Sequence, residues 1–373
     1  MLDRKSQSSA RPKRRAGALR AAALAAFAAL VLIVPRASAG SSDTDPEGPE
    51  VFGLDTGIGR LEYHAGRGLR VGDTGLTIGG YATAEAQRLE GGESFGGVEG
   101  VNFLVALDPV PYLHLFTELE AGPIARAETG EKGVRSGDGV DVDRLYLDAG
   151  TSDRLNLRFG EFLTPFGRWN QTPADPFLWT ASEPLITEGV FDEIVKGAML
   201  WGTVFPRGGA LSYSLYGTFL PPITRDPGAP QADYGSGARL EWASLEGWTL
   251  GASYFGSQER NRKWTHLGGA DALWQPTARL ELSAETAFGK GTRDQGSLWG
   301  LYGQAVVETV RTLYAVGRYE HFDPPRGPSV ELFDVGLTWI PVYYVRLKAD
   351  YRFADRFNDL SQPGLRASFS LLF

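Results

Sequence analysis

The stretch "GLRASFSLLF", Gly364 to Phe373, sets Leu365, Ala367, Phe369, Leu371 and Phe373 against Arg366, Ser368 and Ser370. A period of two belongs to a strand with one apolar and one polar face. Chain ends are ordinarily polar and frayed, so an amphipathic strand ending on an aromatic ring calls for a partner strand. The same pattern recurs upstream. "YVRLKADYRF" puts Val345, Leu347, Ala349, Tyr351 and Phe353 on one face and Arg346, Lys348, Asp350 and Arg352 on the other. "RLNLRFG" sets Leu155, Leu157 and Phe159 against Asn156 and Arg158, and "YLHLFTELEAG" sets Leu113, Leu115 and Leu119 against His114, Glu118 and Glu120.

About sixteen such segments follow one another from Leu76 onward, each near the ~10 residues that a tilted strand needs to cross a bilayer. The links between them alternate. Short ones ("DPVP", "GTSD", "FPRGG", "SLEG", "IPVY") follow even-numbered segments, and longer polar ones ("GPIARAETGEKGVRSGDG", "PPITRDPGAPQADYGS", "ADRFNDLSQPG") follow odd-numbered ones. A meander with tight turns at one end and long loops at the other predicts an all-β fold: a transmembrane antiparallel up-and-down β-barrel of about sixteen strands over residues 74–373. Closure requires the final strand to pair with "GLTIGGYATAEAQ" (Gly75 to Gln87), which removes both sheet edges. Trp248, Trp264, Trp274, Trp339, Tyr343 and Tyr344 fall near segment ends, where half-wet rings prefer to sit.

The N-terminal residues carry a different signal. Arg11, Lys13, Arg14, Arg15 and Arg20 precede the apolar run Ala21 to Val34, and Ala37 and Ala39 give a small-x-small site before Gly40. Residues 1–39 therefore read as a secretory signal peptide, and residues 40–73, rich in Gly, Asp and Pro, as an exposed N-terminal segment. Residues 1–39 hold 8 of the 37 Lys+Arg and 1 of the 45 Asp+Glu, which leaves the remainder at net −15. Such a surface argues against nucleic acid as a partner. There is no cysteine, so disulfides and thiolate metal sites are excluded.

The longest link, Phe162 to Lys196, contains four prolines together with Trp169 and Trp179. A link longer than ~12–15 residues is usually functional or disordered. This one is too apolar for disorder, so it is expected to pack against the barrel interior. Its polar candidates are Arg168, Asp175, Glu183, Glu188, Asp192 and Glu193.

A terminal strand carrying Leu365, Phe369, Leu371 and Phe373 resembles that of bacterial outer-membrane proteins. The resemblance implies residence in the outer membrane of a Gram-negative bacterium, contact with its lipid, and recognition of that strand by the barrel assembly machinery. "GEFLTPFG", Gly160 to Gly167, resembles a stretch of porins related to phosphate- and polyphosphate-selective channels. That likeness implies passive diffusion of small hydrophilic solutes or ions through a water-filled pore, an inward third loop as the constriction, and a possible homotrimer. It also implies a basic lining, for which Arg144, Arg158, Arg318, Arg346, Lys348 and Arg352 qualify, with Glu118 and Glu120 on the same face. The loop acids would oppose this wall across the pore. The competing reading is that inward Arg and Glu pair across strands.

Only four histidines occur, His64, His114, His266 and His321. They are too scattered for a metal site or a catalytic base with a nucleophile, so neither an enzyme nor a cofactor is expected. The alternative to a channel is a closed barrel with a structural or surface-binding role.

Overall fold

In a computed structural model, residues 50–57, 59–91, 94–129, 139–172, 174–187, 190–221, 232–258, 264–291, 296–355 and 361–373 are described. The signal-peptide reading of residues 1–39 and the expectation for Glu188 lie outside them. Three short strands come first, β1 (Glu50–Thr56), β2 (Gly59–His64) and β3 (Gly68–Val71). Then follow β4 (Leu76–Leu89), β5 (Ser94–Val110), β6 (Leu113–Ala121), the short β7 (Ala125–Glu128), β8 (Val140–Ser152) and β9 (Leu155–Leu163). The chain continues with β10 (Ile194–Val204), β11 (Gly209–Thr218), β12 (Tyr234–Ser244), β13 (Trp248–Gln258), β14 (Trp264–Thr277) and β15 (Leu280–Gly291). The last strands are β16 (Ser297–Val310), β17 (Leu313–Asp323), β18 (Val330–Val342), β19 (Val345–Ala354) and β20 (Gly364–Leu372).

Apart from β1–β3 and β7, these strands form one closed antiparallel barrel of sixteen. Each pairs with the next, and β20 closes the ring on β4 from Gly364↔Leu89 to Leu372↔Tyr81. The Phe373 backbone extends the closure, exchanging hydrogen bonds of 2.9 Å with Gly80 in both directions. Its ring meets Phe103 edge-on at 5.9 Å. Every anticipated segment is a strand.

Polarity is inverted relative to a water-soluble protein. Leu157, Phe159, Leu215, Leu240, Phe288 and Leu337 are more than half exposed on the outer face. Arg318, Glu118, Asp334 and Lys348, at 2% exposure or less, face inward. Trp274, Trp339 and Tyr343 are exposed at the short-turn end, and Tyr234, Trp264 and Trp299 at the other.

The seven links at the short-turn end are two to four residues long. At the other end the first hairpin departs from expectation. The β5 ladder begins at Ser94 rather than near Val101, and β7 pairs with Phe95–Val98. The cause is local: the Arg126 guanidinium lies 3.8 Å over the Phe95 ring and is ion-paired with Glu99 and Glu128. Before the barrel, β1–β3 form a ribbon in which β2 pairs β1 and β3, and β3 pairs Leu76–Ile78 of β4. Phe52 and Leu54 on it are nevertheless exposed.

Candidate functional site: the lumen and its crossing loop

Between β9 and β10, the described residues 164–172, 174–187 and 190–193 leave the wall and run across the inside of the barrel. The two glycines of "GEFLTPFG" lie on either side of the departure, with Gly160 still in the ladder opposite Tyr146 and Gly197. Gly160 (φ +133°) lies so close to β8 that a Cβ would sit 2.2 Å from the Leu145 carbonyl. Gly167 (φ +66°) starts the inward turn, and a Cβ there would collide with the Glu285 carboxylate. That carboxylate accepts the backbone N–H groups of Arg168 (2.9 Å) and Trp169 (3.1 Å). It thereby satisfies donors that the short 3-10 turn Trp169–Gln171 leaves open.

From there the loop is fastened to β15–β20. The Trp179 indole donates to Glu281 (2.9 Å), and the Trp179 carbonyl accepts from Thr338 (2.6 Å). Backbone N–H groups of Ala181 and Leu185 donate to Asp350 (2.6 Å) and Glu320 (2.8 Å). Apolar side chains Phe166, Leu185, Ile186 and Phe191 pack with inward Phe255, Leu267, Leu298 and Leu332.

The basic residues anticipated on this wall are bound rather than open. Arg318, fully buried, donates to Glu320 (2.8 Å), Asp334 (2.7 Å), Thr180 (2.7 Å) and Ser182 (2.8 Å). Arg352 donates twice to Asp334 (2.8 and 2.9 Å) and to the Glu183 carbonyl (2.9 Å). Lys348 holds the Asp175 carboxylate at 2.7 Å, and Ser370 donates to the same carboxylate at 2.7 Å. Buried charges endure only when paired and hydrogen-bonded, and here the loop supplies part of the pairing. Arg346 is different: its guanidinium lies 5.6 Å from the Phe177 ring centre and 5.7 Å from that of Trp179.

Across the lumen the wall pairs with itself. Arg144 donates to Glu118 (2.5 Å), which also accepts from Tyr81 (2.9 Å). Glu120 is the next inward position on β6, opposite Asn102. Arg158 forms two 2.7 Å hydrogen bonds to Asp148 while stacking 3.8 Å over Tyr146. Arg239 binds Asp271 (2.5 and 3.0 Å) and Glu241 (2.7 Å), and Arg168 of the loop reaches Glu241 at 3.3 Å. Between this wall and the loop lies a cavity of ≈ 430 Å³, lined by Arg144, Arg158, Arg239, Glu241, Trp201 and Tyr213, among others.

One expectation needs correction. The described loop acids do not stand free opposite a basic wall. Asp175 is tied to Lys348, and Asp192 sits at the loop base, where it binds Lys196 (2.9 and 3.0 Å) and the Ala232 N–H (3.1 Å). At Glu183 and Glu193 the backbone carbonyls accept hydrogen bonds, from Arg352 and from Thr164 and Asn170. The acids that neutralise the arginines come instead from the strands: Asp148, Asp271, Glu320 and Asp334. These, with Arg239, were missed. The alternation in "ARLEWAS" marks Arg239 and Glu241 as facing one way, by the rule that found Arg158.

No protein-family model matches the chain. An uncharacterised protein of Aquifex aeolicus (strain VF5) is 25% identical over 301 residues, which cover 65% of this chain and 68% of that one. Similar solved structures include Salmonella typhi OmpF in complex with daunomycin, with TM-score 0.58 at 13% identity, covering 80% of this chain and 97% of that one. An anion-selective porin from Comamonas acidovorans gives TM-score 0.56 at 13% identity, covering 80% and 99%. The trimer form of OmpT, an outer membrane protein of Vibrio cholerae, gives TM-score 0.55 at 10% identity, covering 80% and 99%. At these identities the likeness is one of fold, a closed antiparallel barrel of sixteen strands.

Proposed function

We propose that this chain is a diffusion channel in the outer membrane of a Gram-negative bacterium, passing small hydrophilic solutes or ions. The observation that carries the reading is the ≈ 430 Å³ cavity, lined in part by Arg144, Arg158, Arg239 and Glu241, left between the loop and the β8–β12 wall. An apolar outer face fits lipid, where burying charge costs ~2–4 kcal/mol per Arg or Lys at the bilayer midplane, and the charged inner face fits water. The solute path runs past Arg144, Arg158 and Arg239, and residues 164–193 form its constriction. Because each of these arginines has a carboxylate partner, ion selectivity is weak rather than that of a basic ladder. The long-loop end is extracellular and the short-turn end periplasmic. The strand ending at Phe373 is the part read by the assembly machinery, and a homotrimer accords with the trimeric OmpT fold.

Single-channel recording on the purified barrel in a planar bilayer tests the function. Stepwise ohmic conductance that increases when residues 168–190 are replaced by a tight turn is the expected result. A heat-modifiable, folded barrel with no conductance in either form would instead favour the closed structural barrel, to which the tight fastening of the loop on β15–β20 lends some support.

A further inference from the structure

Arg346 is an inward guanidinium near the short-turn mouth that, among the described residues, has neither an ion pair nor a hydrogen bond. Its Nε is buried without a partner. Asp175, the acid on the adjoining loop segment, is already held by Lys348 at 2.7 Å. Of the other inward arginines of this wall, Arg318 and Arg352 have carboxylate partners, and Arg366, whose Nη1 is also buried without a partner, still donates to the Gln362 carbonyl at 3.1 Å, so Arg346 is the one of the four with no hydrogen bond among the described residues.

The surroundings are aromatic. Phe177 is 45% exposed although it hangs inside a polar lumen. Trp179 packs against Tyr314 with ring centres 5.0 Å apart, while its indole N–H is taken by Glu281. The Tyr314 hydroxyl makes no hydrogen bond to any described residue. A fixed cation with an unused N–H edge, a phenol beside it and an exposed flat ring together suit one chemistry. A carboxylate accepts from the guanidinium and the phenol, and a flat apolar body covers Phe177. We propose that Arg346, Phe177, Trp179 and Tyr314 form a binding subsite for ring-bearing organic carboxylates at the short-turn mouth of the pore. The subsite rests on the channel reading for its supply of solute, but not for its chemistry.

The test uses benzoate, with acetate (charge without ring) and benzamide (ring without charge) as comparators. Each is added at millimolar concentration on the short-turn side of the single channel, and block is expressed as a fraction of each variant's own open current. Benzoate should block saturably and at concentrations about tenfold below either comparator. Arg346→Gln should remove the preference for benzoate over benzamide, and Phe177→Leu the preference for benzoate over acetate. Equal block by acetate and benzoate, or benzoate block that survives Arg346→Gln, would overturn the proposal. Saturation-transfer NMR of benzoate on the detergent-solubilised barrel separates the two readings. Arg346-dependent binding to a barrel that does not conduct keeps the subsite and removes the channel. Conduction without benzoate binding removes only the subsite.

Discussion

The two halves of the lumen are built from the same alternating strands, yet they behave differently. On the β15–β20 side, inward groups such as Glu285, Glu320, Thr338 and Lys348 reach past their own sheet and grip the loop. On the β6–β12 side, Arg144, Arg158 and Arg239 find carboxylates within the wall or on its neighbour β14, and the space in front of them stays open. An inward charge can therefore serve as a fastener or as a lining. On the fastened side Arg318 and Arg352 hold loop groups in addition to strand carboxylates, whereas the carboxylates that hold Arg144, Arg158 and Arg239 lie on strands.

The largest expected effect lies on the fastened side. Asp334→Ala leaves Arg318 and Arg352 buried without their shared carboxylate, and breaking such a pair costs ~3–5 kcal/mol. Asp148→Ala on the open side strips Arg158, whose side chain is 21% exposed, so water compensates and the cost should be near the ~1 kcal/mol of a partly exposed pair. Urea-unfolding midpoints of the two variants measure the contrast, and equal shifts would break it. Next in size is Gly167→Ala. A β-carbon in that left-handed conformation costs ~1–2 kcal/mol and also displaces Glu285. The loop should loosen at its entry, seen as added open-channel current noise with little change in barrel thermal stability. Smaller still is Arg158→Glu on the open side. It should shift the reversal potential toward cations in dilute salt, and the shift should fade near 1 M, where the screening length is ~3 Å. A shift that persists at high salt would mean that Arg158 acts by shaping the path rather than by its charge.

Most of the barrel was legible because a strand that separates lipid from water must alternate, and alternation needs no knowledge of neighbours. The closing pair of β20 with β4 was legible for the same reason, with hydrocarbon ruling out a free edge. The ribbon at residues 50–71 and the early start of β5 were not. They are held by contacts such as Arg126 over Phe95, which leave no periodic trace. The basic wall was visible as positions, and so was Glu118 beside Arg144, but the other neutralising acids were not, since Asp334 lies 16 residues from Arg318 and 18 from Arg352. Period two says which face a charge occupies and nothing about which strand stands opposite. Nor does it say which half of the lumen the loop will cover, because that depends on the register of six strands at once.

The seam between β4 and β20 also governs the order of events during assembly. Every other neighbouring pair in the barrel is consecutive along the chain or separated by one loop, whereas these two strands are divided by the whole of the remaining barrel. The entropy of bringing such distant segments together must be met before their ladder returns anything. Until β20 arrives, the Tyr81–Leu89 edge of β4 stays open beyond the Leu76–Ile78 stretch that β3 covers, so a partly made barrel is a curved sheet with two sticky margins. Ring closure is therefore the pairing with the largest chain entropy to overcome, and a factor that shields the open β4 margin would delay it.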